Sequence, residues 1–301
     1  MLFTAPIRHL ILIFFITLAV IPLQSQQLGP KEIIERSVEA NEKDWDAAPE
    51  YDYFDREQDG EKSKTYKVMM LYGSRYSRLV AINDKPLSPE DEAKEQQRFE
   101  TAVAQRQRET PDERRKRIAA YQKERERDHV LMGELTKALN FTLVGKEMLG
   151  AHEVYVLKGT PRRGYNPPNN QAKALTGMQG TLFVETNTFH WVKAEGEVVR
   201  PIWIEGFFAR IQPGTRFLLE QMPVGDGVWM PSRFSMHAKA KVFFLFSHTE
   251  WEDDTYFGYH KPKPLTASDV APSKPGANPP GQAEHAPGQN DSADPAESGQ
   301  Q

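Results

Sequence analysis

Along the chain the hydrophobic period switches from helical to two-residue spacing, reverts to helical, and then stays at two. Ile33, Ile34, Val38 and Trp45 follow Pro30 at helical spacing and predict one amphipathic helix lying on an apolar surface. Over 62–72, Lys64, Tyr66, Val68, Met70 and Tyr72 share one face, and a second run from Tyr76 to Ile82 follows Gly73-Ser74, which predicts a hairpin. After Phe141 nearly everything reads as strand: 141–147, 153–159, 180–186, 189–199, 203–211, 215–222 and 228–246, divided by turn signals such as Gly150, Asn187, Pro213-Gly214 and Gly225-Asp226-Gly227. In 234–246, Phe234, Met236, Ala238, Ala240, Val242, Phe244 and Phe246 occupy one face, while Ser235, His237, Lys239 and Lys241 occupy the other. At about 3.3 Å per residue that strand is roughly 40 Å long. Strands of this length belong to large curved sheets. With Tyr51–Arg56 the count reaches nine or ten strands joined mainly by hairpins, so the expected fold class is α+β: one large curved antiparallel sheet with a few helices to cover its apolar side.

Residues 88–128 break the pattern, with 22 charged side chains in 41 positions. Two helix starts are written there. Ser88-Pro89 with Asp91, and Thr110-Pro111 with Glu113, each place a hydroxyl at the N-cap, a proline at the first helical position and an acid at the third. Phe99, Val103, Ile118 and Tyr121 are the few apolar residues among the charges, which predicts a mostly solvated helical hairpin. The basic run 114–117 is balanced at helical spacing by Asp112, Glu113, Glu124, Glu126 and Asp128, so it reads as a salt-laced face and not as a nucleic-acid patch. From Asp128 a further helix is expected, with Leu131, Leu135 and Leu139 four apart and Asn140 closing it in the left-handed conformation.

The two ends belong to a different class. Arg8 and His9 precede a 14-residue apolar run, Leu10–Leu23, broken at Pro22 and followed by polar residues. That is the pattern of a secretory signal peptide over 1–25, too short for the roughly 20 residues of a spanning helix. Export to the periplasm is the expectation, with no integral membrane segment after cleavage; the alternative is an uncleaved N-terminal anchor. The segment 262–301 holds eight prolines and four glycines and no aromatic, and is expected to be a disordered tail. The foldable unit is thus one domain over 26–261.

Composition narrows the function further. The 301 residues carry 38 Lys+Arg against 42 Asp+Glu, a formal charge of -4, which speaks against nucleic acid as a partner. The absence of cysteine excludes disulfides, thiol catalysis, cysteine-held metal and lipid attachment through cysteine. His248-Thr249-Glu250 precedes Glu252, Asp253 and Asp254, yet no two histidines stand at ligand spacing and HExxH is absent, so no metal is expected. His152-Glu153 and His190-Trp191 read as strand edges, and His237, beside Lys239 and Lys241, as solvent-exposed. Arg162-Arg163-Gly164-Tyr165 reads either as a loop for an anionic head group or as a solvated turn. No nucleophile elbow, P-loop or dinucleotide fingerprint is present. With no cofactor motif and no catalytic residue selected, a binding protein is expected in place of an enzyme.

Gly180-Thr181-Leu182-Phe183-Val184 leading to His190-Trp191-Val192-Lys193, then Glu205-Gly206-Phe207-Phe208 and the turn Asp226-Gly227-Val228-Trp229-Met230-Pro231, resemble the envelope proteins of the LolA, LolB and RseB group over roughly 28–260. The resemblance implies an incomplete β-barrel whose concave apolar side is partly plugged by helices and accepts acyl chains of lipoproteins or other lipids. The helices of 88–128 are longer than the connection usual in that group, and a LolB-type lipid anchor is ruled out by the missing cysteine. The expected ligand-lining residues are Val68, Met70, Phe234, Met236, Val242 and Phe244, with Leu131 and Leu135 as the cover. The expected function is a periplasmic carrier for lipoprotein acyl chains or related amphiphiles. The alternative is an envelope sensor or scaffold of the same fold that binds a protein partner.

Overall fold

Pro30 opens an 18-residue helix, α1 (Pro30–Ala47), whose buried side chains Ile33, Ile34, Ser37, Ala40, Asn41 and Asp44 recur on one stripe. The computed structural model describes residues 28–204, 209–242 and 246–262, so the expected signal peptide and all but the start of the expected tail lie outside the described residues. After α1 come β1 (Asp52–Asp59), β2 (Lys62–Leu71), β3 (Ser74–Ile82), the short β4 (Lys85–Pro86), and the helices α2 (Pro89–Arg108) and α3 (Pro111–Ala138). The remainder is β5 (Leu139–Leu149), β6 (His152–Pro161), a single turn α4 (Asn170–Lys173), β7 (Met178–Glu185), β8 (Trp191–Val198), β9 (Ile202–Ile204), β10 (Ala209–Ile211), β11 (Arg216–Gly225), β12 (Val228–Val242) and β13 (Phe246–His260). Among the described residues no helix is long and apolar enough to cross a membrane.

The strands form one antiparallel sheet in the order β4-β3-β2-β1-β13-β12-β11-β8-β7-β6-β5, with β10 joining β12 to β9. It is open, β4 and β5 being its two edges. The fold is therefore α+β with an unclosed antiparallel sheet. Hairpins build each half, β8 pairing β11 past the intervening β9 and β10, and β13 fastens the halves together by pairing β12 on one side and β1 on the other. Its fifteen residues include Glu250, Glu252, Asp253 and Asp254, charges that isolated strand propensity disfavours but ladders on both sides hold in place.

The two halves are covered by different helices. Ile33 and Ile34 of α1 are buried against Tyr155, Leu157, Leu182, Val184 and Trp191 of β6, β7 and β8. At the other end α2 lays Phe99 and Val103 on Met69, Leu71 and Tyr76. Its successor α3 then passes to the opposite face around the β2–β3 turn. Tyr72 and Gly73 there both have positive φ, 48° and 89°, as a two-residue hairpin turn requires. A Cβ on Gly73 would sit 2.9 Å from Ile118 Cδ1, so glycine allows α3 its close approach. The charged hairpin thus clasps the sheet from both sides while most of its residues stay exposed, as its composition predicts.

Three expectations need correction. No separate helix begins at Asp128, because α3 runs unbroken for 28 residues and nothing in its charged sequence stops it. Nor does Asn140 cap it: Leu139 is already extended (φ -118°, ψ 148°) and opens β5. The last carbonyls are instead satisfied from a distance, the Arg162 guanidinium donating to Thr136 O at 3.1 Å and Leu139 O at 3.3 Å, and its backbone N–H to Ala138 O at 2.8 Å. This gives the basic loop at Arg162 a structural role. Finally, the expected strand 203–211 is two short strands, β9 and β10, paired with each other.

Candidate functional site: an apolar hollow under two helices

Residues directly opposite across an antiparallel ladder point to the same face, so the register shows what lines it. One row across the sheet reads Phe141, Gly159, Gly180, Gly196, Phe217, Met236, running from β5 to β12. Three neighbouring strands therefore present no side chain at this level, and the flanking phenylalanines fold over the bare backbone. A Cβ on Gly196 would lie 2.0 Å from the Phe217 ring, and one on Gly159 2.9 Å from Phe141 Cε1. One on Gly180 would lie 2.2 Å from the Glu195 carbonyl oxygen, an approach only glycine permits. The next row is Leu143, Leu157, Leu182, Ala194, Leu219, Phe234, again wholly apolar.

Over this trough α1 and α3 leave a cavity of about 720 Å³. That is within the roughly 300–1,000 Å³ of ligand pockets. The three glycines, Phe141, Phe217 and Leu219 form its floor, Leu135, Met132 and His129 of α3 and Asn41, Asp44 and Trp45 of α1 its roof, and Trp229, Met230, Phe234 and Met236 one wall. The roof helices meet at the mouth. Trp45 stacks on His129 with ring centroids 4.4 Å apart, the Arg125 guanidinium lies 4.1 Å from the Trp45 ring, and Arg125 also donates to the Trp45 carbonyl. Burial holds His129 below the usual imidazole range. At the far end of α3, Tyr165 donates to Glu134 at 2.7 Å.

Of the residues expected from the sequence, Leu135, Phe234 and Met236 line the cavity. Val68 and Met70 stand on β2, at the other half of the sheet and away from the cavity lining, Val68 being buried. Leu131 belongs to α3 and Val242 to the end of β12, where the backbone alone is described, and Phe244 lies outside the described residues.

Two features of the lining were not foreseen. The glycine trough depends on register across four strands, and mid-strand glycines at 159, 180 and 196 were its only signal. The second is polar. Asn41 and Asp44 continue the buried stripe of α1 and are 3 % and 5 % exposed. Asp44 Oδ1 accepts the Trp229 backbone N–H at 3.0 Å, tying α1 to the start of β12, while Oδ2 lies 3.4 Å from His190 Nε2. His190, directly before β8, is buried and stacks on Trp229 at 5.4 Å, with His152 at the start of β6 5.0 Å from that indole. His237, expected in solvent, is partly covered and packs at 5.3 Å on Trp251. Asn41 Nδ2 donates to Ser37 O, but Asn41 Oδ1, Asp44 Oδ2 and Gln221 Oε1 are buried with no hydrogen-bond partner among the described residues. An unmet buried acceptor costs about 1–3 kcal/mol.

Beyond Phe234 and Met236 the same face changes character. Their partners on β13 are Asp254 and Glu252, and Asp254 in turn faces Glu57 on β1. Asp55 and Asp254 are both buried, 5 % and 7 % exposed. Burial, reinforced by the neighbouring Asp254 charge and opposed by Arg75 at 3.5 Å, pushes Asp55 up to about 7. Burial and the adjacent Glu252 push Asp254 up to about 6. Tyr53 stacks on Tyr259 at 5.1 Å and meets Tyr256 edge-on at 6.2 Å, and burial raises all three phenols.

No protein-family profile matches the chain, and no curated protein matches it. Among solved structures it is similar to a LolA superfamily protein from Nitrosomonas europaea, at 14% identity over 81% of this chain and 98% of that one, with a TM-score of 0.32. It is similar also to a putative outer membrane lipoprotein-sorting protein domain from Vibrio parahaemolyticus, at 8% identity over 79% and 97%, TM-score 0.32. A third is the MucA/MucB complex of Pseudomonas aeruginosa, at 10% identity over 75% and 93%, TM-score 0.24.

Proposed function

We propose that the protein is an exported, periplasmic binding protein that carries acyl chains of lipoproteins or related amphiphiles, without chemistry of its own. The observation that carries this reading is the 720 Å³ hollow, floored by glycines and roofed by two helices that meet where His129 and Arg125 pack on Trp45. A closed core has no reason to leave three adjacent strands bare. Acyl chains suit the trough because their affinity comes from area alone, about 0.8 kcal/mol per methylene buried, which permits loading and release. Leu135 and Met132 are the side chains such a chain displaces. Val68, Met70, Leu131, Val242 and Phe244 remain proposed contacts for a longer ligand. The apolar run at Leu10–Leu23 supports export.

The test is fluorescence of the neutral apolar probe N-phenyl-1-naphthylamine with the purified chain. Saturable enhancement reversed by hexadecyl amphiphiles, and weakened at least tenfold in Leu135→Asp while the circular dichroism is unchanged, is the expected result. A parent protein that gives no enhancement ends the carrier reading. A second reading, a sensor or scaffold for a protein partner, draws on Trp203 and Trp251, which stand 49 % and 54 % exposed on β9 and β13. A chain that takes no probe but recovers one envelope protein on affinity capture supports it.

A further inference from the structure

The cavity wall is apolar except at one corner, and the chemistry of that corner is one-sided. Asn41 and Asp44 lie one turn apart on α1 and face the hollow. Asp44 Oδ1 is bonded to the Trp229 backbone, two residues before Pro231, and Pro231 is the ladder partner of Gln221. The three side chains thus line the same hollow on α1 and on the β11–β12 ladder that Asp44 holds. Each offers an oxygen that is buried and has no hydrogen-bond partner among the described residues: Asn41 Oδ1, Asp44 Oδ2 and Gln221 Oε1. The Asn41 oxygen is identified by its amide nitrogen, which donates to Ser37 O at 2.8 Å. His190 approaches Asp44 Oδ2 at 3.4 Å, too loosely to satisfy it. Among the described residues of the lining, Asp44 brings its carboxylate to the hollow and there is no lysine or arginine; Glu195 contributes its backbone, since it alternates with the trough residues Ala194 and Gly196 and its carboxylate pairs with Lys193. Acceptors with no lysine or arginine beside them are matched by a ligand that donates hydrogen bonds, and the Asp44 charge repels one that carries a carboxylate.

Building on the carrier reading, we infer that the polar end of the bound chain is a hydrogen-bond donor without negative charge, an amide N–H, hydroxyl or ammonium, received by Asn41, Asp44 and Gln221, and that free fatty acids are turned away. Buried acceptors discriminate strongly because a ligand lacking the donor leaves them unpaired.

The experiment displaces N-phenyl-1-naphthylamine from the full-length purified chain at pH 8 with four ligands of equal length: hexadecanamide, hexadecanol, hexadecylamine and hexadecanoate. At least one of the three donors is expected to displace the probe at tenfold lower concentration than hexadecanoate, and their order among themselves identifies the head group. Asp44→Asn, which keeps the acceptor for Trp229 N–H and removes the charge, is expected to improve hexadecanoate at least fivefold. Gln221→Leu, an apolar change in an apolar wall, is expected to weaken the preferred donor fivefold relative to the probe. If the probe binds and hexadecanoate competes as well as every donor, the inference is overturned and the carrier reading stands. If preference persists unchanged in both variants, the three acceptors do not set it and the inference is again overturned. If neither probe nor ligand binds, the carrier reading fails and the inference with it.

Discussion

The same face of one sheet is built in two ways. From β5 to β12 a single row reads Leu143, Leu157, Leu182, Ala194, Leu219, Phe234, and with the next ladder step, onto β13 and β1, it continues as Asp254 and Glu57. The apolar half keeps a hollow. The acidic half closes over its carboxylates with tyrosines and Arg75. Their covers differ accordingly: α1 docks through buried isoleucines, whereas the α2–α3 joint docks through guanidinium groups on backbone carbonyls. Emptiness in one half and buried carboxyl groups in the other are both costs to stability. The largest expected effect is in the hollow. Gly196→Val drives the Phe217 ring into the trough, so probe affinity falls more than a hundredfold, and overpacking lowers stability by about 1–3 kcal/mol. Unchanged probe binding in that variant removes the distinction between the halves.

The acidic half is sharpened by pH. Asp55 is raised in the folded protein to about 7 from an ordinary 3.8, so between these values the folded state holds a proton that the unfolded chain has released. Stability is then complete below about pH 4 and declines as pH rises through 7, and Asp254, raised to about 6, acts in the same direction. The full Asp55 shift corresponds to an amount on the order of 2–4 kcal/mol. His129, held low by burial, works the other way, so the comparison that isolates the carboxylate is Asp55→Asn against the parent. Urea midpoints at pH 5 and pH 8 are expected to differ less in the variant, which is the more stable of the two at pH 8. Parallel pH curves would show that Asp55 is ionised throughout.

What could be read from the chain follows from how far each cause reaches. Ser88 and Thr110 were legible as caps because their chemistry is finished within three residues: Asp91 N–H donates to Ser88 Oγ at 3.1 Å, and Thr110 and Glu113 exchange bonds in a full capping box. The β2–β3 hairpin was legible for the same reason. The end of α3 was not, since its terminal carbonyls are met by Arg162 from the next hairpin. The cover over the hollow was half legible, as Leu135 shows, because an apolar strip announces a partner without naming it. The glycine trough and the Asp55–Asp254 neighbourhood were hidden, since both exist only once strands distant in sequence are in register. Asn41 and Asp44 could have been found: they follow Ile33, Ser37 and Ala40 at helical spacing on the buried stripe of α1.

A smaller effect tests whether the charged hairpin belongs to the acidic half. Arg117 donates to Tyr72 O at 3.0 Å, to Ser74 Oγ at 2.6 Å and to both oxygens of Glu109, and so fixes the α2–α3 joint at the β2–β3 turn. Arg117→Ala removes charge-assisted bonds worth about 1.5–3 kcal/mol in gross terms, and solvent access reduces the net to about 1–2 kcal/mol. Hydrogen exchange is expected to accelerate in α2 and the first turns of α3, and in β2–β3, while α1 and β6–β8 keep their protection. Equal acceleration over α1 would mean that the two covers open as one, and the contrast between a helix seated by hydrophobic burial and a hairpin pinned by guanidinium groups would have no consequence for how the hollow is reached. The smallest change, Thr110→Ala, loses only the cap at that joint, about 1 kcal/mol, and is expected to appear as fraying confined to the start of α3.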